Sequence, residues 1–137
     1  MPDTVSHSLA LSTPPDDVNA VHELLERVWV ASDGVSDLDR FSFETALIEL
    51  ASNVIRHADG GGGVSCRLAV TVHGDRLEAT LMDTGEPGDI RLSDADLPDE
   101  LAESGRGIPL IRALVDVVEY DRQADANRWF ISRSLAR

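Results

Sequence analysis

From His7 to Ser12 the chain alternates, with Leu9 and Leu11 on one face, the period-two pattern of a short strand. Pro14 and Pro15 end it, and Asp16 or Asp17 is suited to cap a helix and to complement its positive end. Val18, Val21, Leu25 and Val28 then recur at helical spacing to about Val30, flanked by Leu24 and Trp29. Asp33-Gly34 interrupts, and Ser36 starts a longer helix that ends before Gly60. Its section from Phe43 to Ala58 organises the chain. At about 100° per residue, Leu47, Leu50, Ala51, Val54 and Ala58 form one stripe, widened by Ile48 and Ile55. Glu49, Asn53 and Arg56 fall on the opposite side.

Gly60 to Gly63 connect that helix to a strand. Val64, Cys66, Leu68, Val70 and Val72 alternate with polar or small residues, the mark of a half-buried strand. His73-Gly-Asp-Arg76 predicts a two-residue turn, and Leu77, Ala79 and Leu81 line the return strand as far as Met82-Asp83-Thr-Gly85. Residues 86–104 show no period, are rich in acids and contain Pro87, Gly88 and Pro98. A long irregular stretch in a small domain is expected to be a functional lid. Gly105-Arg-Gly107 opens a further helix with Pro109 in its first turn, where a missing N–H costs little. Residues 117–122 and 128–135 predict a closing hairpin around a polar loop, Gln123 to Asn127.

Length narrows the picture to one domain, 1–137, large enough to bury about two-thirds of its unfolded surface. No apolar run approaches the roughly 20 residues of a membrane span, and the first residues lack the basic and apolar regions of a secretory signal. A single cysteine, Cys66, fits a reducing, cytoplasmic setting, as a core residue. The net charge of −13 argues against a nucleic-acid partner, because phosphate backbones would be repelled. It suits a basic protein partner or simple solubility.

Three groups of residues carry candidate chemistry. Glu49 and Asn53, i and i+4, stack on adjacent turns, setting a proton-accepting carboxylate beside an amide oxygen able to ligate a hard cation such as Mg²⁺. The same spacing also suits an ordinary solvated face. Asp83 ends a strand before Gly85; it could accept a hydrogen bond from an exocyclic amine or simply open a turn. Gly105 and Gly107 frame Arg106 at a helix N-terminus, where free N–H groups favour phosphate, although helix entry alone would also explain them.

In this order, Glu49-x-x-x-Asn53, Asp83-x-Gly85 and Gly105-x-Gly107 resemble the N-box and two glycine boxes of the ATPase superfamily shared by gyrase, heat-shock chaperones, histidine kinases and mismatch-repair proteins. The resemblance runs from about Leu9 to Leu135 and is closest to the stand-alone anti-sigma-factor serine/threonine kinases, through residues 49–58 and 104–111. It implies a two-layer α/β sandwich: a mixed, mostly antiparallel sheet with helices on one face, and ATP held under a lid at about 86–104. It further implies that Glu49 is the general base on a substrate hydroxyl, that Asn53 ligates Mg²⁺ and that Asp83 accepts the adenine amine. Gly85 would pass beneath the base, while Gly105, Arg106 and Gly107 would lie along the phosphates. His57 matches a position where the family often has histidine, read as local hydrogen bonding; Arg56 is open between nucleotide contact and surface charge.

Some positions depart from the pattern. Pro87 replaces the last glycine of the first glycine box, Glu103 stands where some relatives have a phosphate-reaching arginine, and Asn127-Arg128-Trp129 occupies a hairpin that often carries Gly with Lys or Thr. The resemblance implies a partner-switching kinase that holds a sigma factor and phosphorylates an antagonist protein, and a homodimer is possible. A non-catalytic ATP-dependent adaptor and a hydrolytic ATPase are the alternatives. Retention of Glu49 favours the kinase, since a pure binder needs no base.

Overall fold

A computed structural model describes residues 4–13, 16–58, 64–84 and 107–135. The expected lid at 86–104, together with Gly85, Gly105 and Arg106, lies outside them. For His57 the backbone alone is described.

The strands are β1 (Val5–Thr13), β2 (Val64–Val72), β3 (Arg76–Asp83), β4 (Val117–Gln123) and β5 (Ala126–Ser134). They form one sheet in the order β1-β2-β3-β5-β4, and every pairing is antiparallel. The helices are α1 (Asn19–Ala31), α2 (Asp37–Ala58) and α3 (Gly107–Leu114). Alternation puts the apolar half of each strand on the helix side. Leu9, Leu68, Leu81, Trp129 and Tyr120 are cross-strand neighbours in one row across the sheet. The next row runs Leu11, Cys66, Asp83, Asn127, Arg122 and turns polar halfway. This is the two-layer α/β sandwich that the resemblance implies.

Local chemistry explains where the elements start and turn. Asp17 Oδ1 accepts the Asn19 backbone N–H at 2.9 Å, so Asp17 satisfies a donor that the first turn of α1 leaves open. At the start of α2, Ser36 Oγ accepts the Asp39 N–H at 3.1 Å and donates to Asp39 Oδ2 at 2.9 Å, close to a capping box. The β2–β3 turn closes through His73 N–H to Arg76 O at 2.9 Å, around Gly74 and Asp75 as the pattern predicts. Burial pushes the Glu78 carboxyl up, but hydrogen bonds from Arg76 and His73 outweigh it and hold the group below the ordinary range.

The closing hairpin is tighter than its composition suggests. Gln123 pairs with Ala126, leaving Ala124 and Asp125 as the turn, with Ala124 at φ 48°. Asn127 therefore belongs to β5 and not to a loop. Its amide is drawn inward because a buried partner, Asp83, waits opposite.

The helices bury their apolar residues against the sheet and one another. Val21, Leu24, Leu25 and Val28 of α1 are fully buried, as are Phe43, Ala46 and Leu47 of α2. Each large side chain so removed from water contributes roughly 1.5–3 kcal/mol before chain entropy is counted. Trp29 meets Phe43 edge-on at 6.5 Å and donates its Nε1–H to Glu44 Oε1 at 2.9 Å, fixing α1 on α2. Arg133 ties three elements together: Nε donates to Asp39 Oδ1 at 2.9 Å, and Nη1 to the Leu114 carbonyl at 2.7 Å. Asp39 is only 3% exposed.

Helix α2 is covered more widely than its periodicity predicts. It packs on α1, α3, β3 and β5, so its buried arc spans more than one stripe. Asn53, expected on the polar side, is 2% exposed; Glu49 is half-buried and Arg56 exposed.

Candidate functional site

Connectivity brings the candidate residues to one end of the molecule. Only residues 59–63 separate the end of α2 from Val64, which begins β2. Cys66, two residues on, lies opposite Asp83, the last residue of β3. The carboxyl end of α2, with Asn53 and Arg56, therefore shares the Asp83 end of the sheet. Helix α3 packs on α2 and ends at Leu114, next to Val117, which starts β4 at the opposite end. Gly107 thus opens α3 away from that far end.

Asp83 is 1% exposed. Its Oδ1 accepts from Asn127 Nδ2 at 2.9 Å and its Oδ2 from Trp129 Nε1 at 3.0 Å. A buried carboxylate needs such donors. Asn127 is held in turn, since Oδ1 accepts from the Tyr120 hydroxyl and, at 3.3 Å, from Arg122 Nη1. The Tyr120 and Trp129 rings lie 4.4 Å apart. Sequence reasoning located Asp83 and missed Asn127, Trp129 and Tyr120 as its supports. The clue available was pairing: a strand after Asp83 ending in a hairpin places Asn127 and Trp129 beside it once the β3–β5 register is known.

Cys66 faces the same carboxylate. Burial, and secondarily the Asp83 charge, pushes its thiol from 9.0 up to about 11. It is neutral and inert at ordinary pH, the core role that its place in the strand pattern predicts.

On α2, Asn53 Oδ1 accepts one long hydrogen bond, from Arg56 Nη2 at 3.3 Å, and Nδ2 has no partner among the described residues. A buried amide left so poorly satisfied is unusual in a folded interior and suits a ligand that would complete it. Glu49, one turn earlier, makes no hydrogen bond or ion pair among the described residues. The structure sets Glu49, Asn53 and Arg56 on α2, whereas Gly105 and Arg106 lie outside the described residues.

These features define a one-sided α/β sandwich with a buried polar cluster at one end of its sheet. Residues 11–130 match the family model described as the histidine kinase-like ATPase domain. The chain belongs to that family, and membership implies ATP as its nucleotide. Among solved structures, the RsbU and RsbW domains of Rv1364c from Mycobacterium tuberculosis superpose with a TM-score of 0.60 at 19% identity, covering 96% of this chain and 33% of that one. The likeness is one of fold, and this chain spans about a third of that structure's length. The Acinetobacter baumannii histidine kinase AdeS aligns with a TM-score of 0.49 at 19% identity, over 96% of this chain and 68% of that one. No curated protein matches the chain.

The residues fit the implied nucleotide. Asp83 is a buried carboxylate at the sheet end, and Asn53, towards the same end, is a buried amide whose Nδ2 has no partner among the described residues. Among the described residues no cluster of three or more His, Cys, Asp or Glu is placed to hold a metal ion. Among the described residues, too, no helix is long and apolar enough to cross a membrane.

Proposed function

We propose that this chain is an ATP-dependent serine/threonine protein kinase that acts as an anti-sigma factor, holding a sigma factor and transferring phosphate to an antagonist protein. The carrying observation is that α2 sets Glu49, without a hydrogen bond or ion pair among the described residues, one turn from the buried, under-satisfied Asn53, towards the end of the sheet where Asp83 is held. Asp83 accepts the adenine amine, and Gly85 lets the chain approach the base. Asn53 would offer its amide oxygen to Mg²⁺ in place of the long hydrogen bond that it accepts from Arg56, and its unpartnered Nδ2 would donate to a phosphate oxygen. By the family resemblance, Gly105, Arg106 and Gly107 would offer their backbone and charge to the phosphates. Arg56, which donates to Asn53 Oδ1, would meet phosphate charge.

When bound, Mg-ATP supplies the phosphoryl group and the cation neutralises charge that develops during transfer. The protein's share is to position and to move one proton. Glu49 takes the proton of the substrate hydroxyl as its oxygen bonds to the γ-phosphorus and ADP leaves. Such a base contributes about 10²- to 10⁴-fold. The sequence resemblance to the stand-alone anti-sigma kinases supports the choice of a protein substrate, and the acidic surface suits a basic patch on a partner.

The test is incubation with γ-labelled ATP, with and without candidate antagonist proteins. Label on a serine or threonine of the antagonist is the expected result. Phosphate released to water without an acceptor would make the chain an ATPase. ATP-dependent capture of a partner without label would make it an adaptor.

A further inference from the structure

We propose that Asn127 and Trp129 are positioning residues for the base: they hold the Asp83 carboxylate in one orientation, and discrimination for a 6-amino purine depends on them. The inference rests on the reading of Asp83 as the acceptor of an exocyclic amine. A carboxylate normally turns with little resistance about its terminal bond. Here each oxygen is held by a different donor from β5, Asn127 Nδ2 at 2.9 Å and Trp129 Nε1 at 3.0 Å, so turning breaks both bonds at once.

The donors are themselves fixed. The Tyr120 hydroxyl and Arg122 Nη1 both donate to Asn127 Oδ1. They define which end of the amide is oxygen and oblige Nδ2 to face Asp83. Trp129 is 2% exposed and lies against the Tyr120 ring at 4.4 Å, so its N–H has one direction. The chain Tyr120–Asn127–Asp83, with Trp129 as its second arm, spans β4, β5 and β3. A purine that donates at its 6-position meets an acceptor already aimed; a purine lacking that amine gains nothing from the arrangement.

The experiment compares calorimetric affinities for ATP and for purine riboside 5′-triphosphate, which lacks the 6-amino group. The proteins are the parent chain, Trp129→Phe, which keeps an aromatic ring and removes the N–H, and Tyr120→Phe, which removes only the hydroxyl. The parent is expected to prefer ATP by about 10-fold or more. Trp129→Phe should narrow that preference by about 3- to 10-fold through weaker ATP binding alone, and Tyr120→Phe by a smaller factor. Equal weakening of both nucleotides, or an unchanged preference in both variants, overturns the positioning role. A parent without preference for ATP overturns the base reading as well, and so tells the two failures apart. Tyr120 is only partly buried, so Tyr120→Phe carries the test if Trp129→Phe does not fold.

Discussion

Trp129 donates its indole N–H to Oδ2 of Asp83 at 3.0 Å, from a strand that follows Asp83 in sequence by more than forty residues. If Asp83 receives the adenine amine as proposed, the contact joins nucleotide recognition to the packing of the sheet. A substitution at Asp83 should therefore register in stability as well as in binding.

Asp83→Asn sets an amide donor against either Asn127 Nδ2 or Trp129 Nε1, and it weakens the acceptor offered to adenine. An unsatisfied buried pair costs about 1–3 kcal/mol, so ATP affinity should fall roughly 5- to 150-fold. The unfolding midpoint should fall with it, by a few degrees. Calorimetry and thermal unfolding on the same sample check both. A folded variant with parental ATP affinity removes Asp83 from the base pocket.

Glu49→Ala and Asn53→Ala should fail differently. Loss of Glu49 removes a proton acceptor and a negative charge near a polyanion, so ATP binding should persist or tighten while transfer drops by about 10²- to 10⁴-fold. The drop is smaller if a loose transition state makes deprotonation less important. Loss of Asn53 should abolish the Mg²⁺-dependent part of ATP affinity. Affinity with and without Mg²⁺, beside single-turnover transfer, separates the two. Parental transfer by Glu49→Ala would replace the kinase reading with the adaptor.

The elements that carry the candidate residues are legible in the sequence, and α2 shows why their burial is not. Periodicity located the helix, its apolar stripe and the i, i+4 relation of Glu49 and Asn53. It put Asn53 on the polar side, because a stripe gives the centre of the buried arc and says nothing of how many elements pack around it. With α1, α3 and two strands against it, α2 buries its amide too. The loop expected at Asn127 fails for a similar reason: composition reports polarity, whereas its polar partner Asp83 is buried directly opposite it on the neighbouring strand. The sandwich itself was readable, since strand alternation and helix spacing are local properties. The Arg133–Asp39 pair was not, because nothing local links residues so distant in sequence.

Arg133→Ala should destabilise the fold without touching the nucleotide site. It removes the Arg133 guanidinium from the buried Asp39 carboxylate and its donor from the Leu114 carbonyl. Ser36 still bonds Asp39, so the cost should be about 2–4 kcal/mol, or roughly 10 °C in Tm. Asp39→Asn should cost less. Thermal unfolding of both variants, with ATP affinity measured below the transition, checks this; an unchanged midpoint for Arg133→Ala would reduce the pair to a surface contact.

Cys66 gives a pH prediction. The folded chain holds the thiol proton to about pH 11 against an ordinary value of 9.0, more tightly than the unfolded chain does. Its contribution to stability is therefore intact below pH 9 and is lost as the pH rises towards 11. At pH 8 the native thiolate fraction should be about 100-fold below that of the unfolded chain. Alkylation by iodoacetamide, followed by mass spectrometry in buffer and in guanidinium, measures the difference. Equal labelling rates would mean that Cys66 is not shielded.

The order β1-β2-β3-β5-β4 carries a consequence for how the protein is made. β4 leaves the ribosome before β5, yet β5 lies between it and β3. Throughout that interval β3 exposes a bare hydrogen-bonding edge, and β4 has no neighbour in the sheet. The same strand brings Asn127, Trp129 and Arg133, so neither the Asp83 network nor the Asp39 pair can close during that part of synthesis. A nascent chain in this state is open to pairing with other strands, and a pause before Ala126 would prolong the hazard.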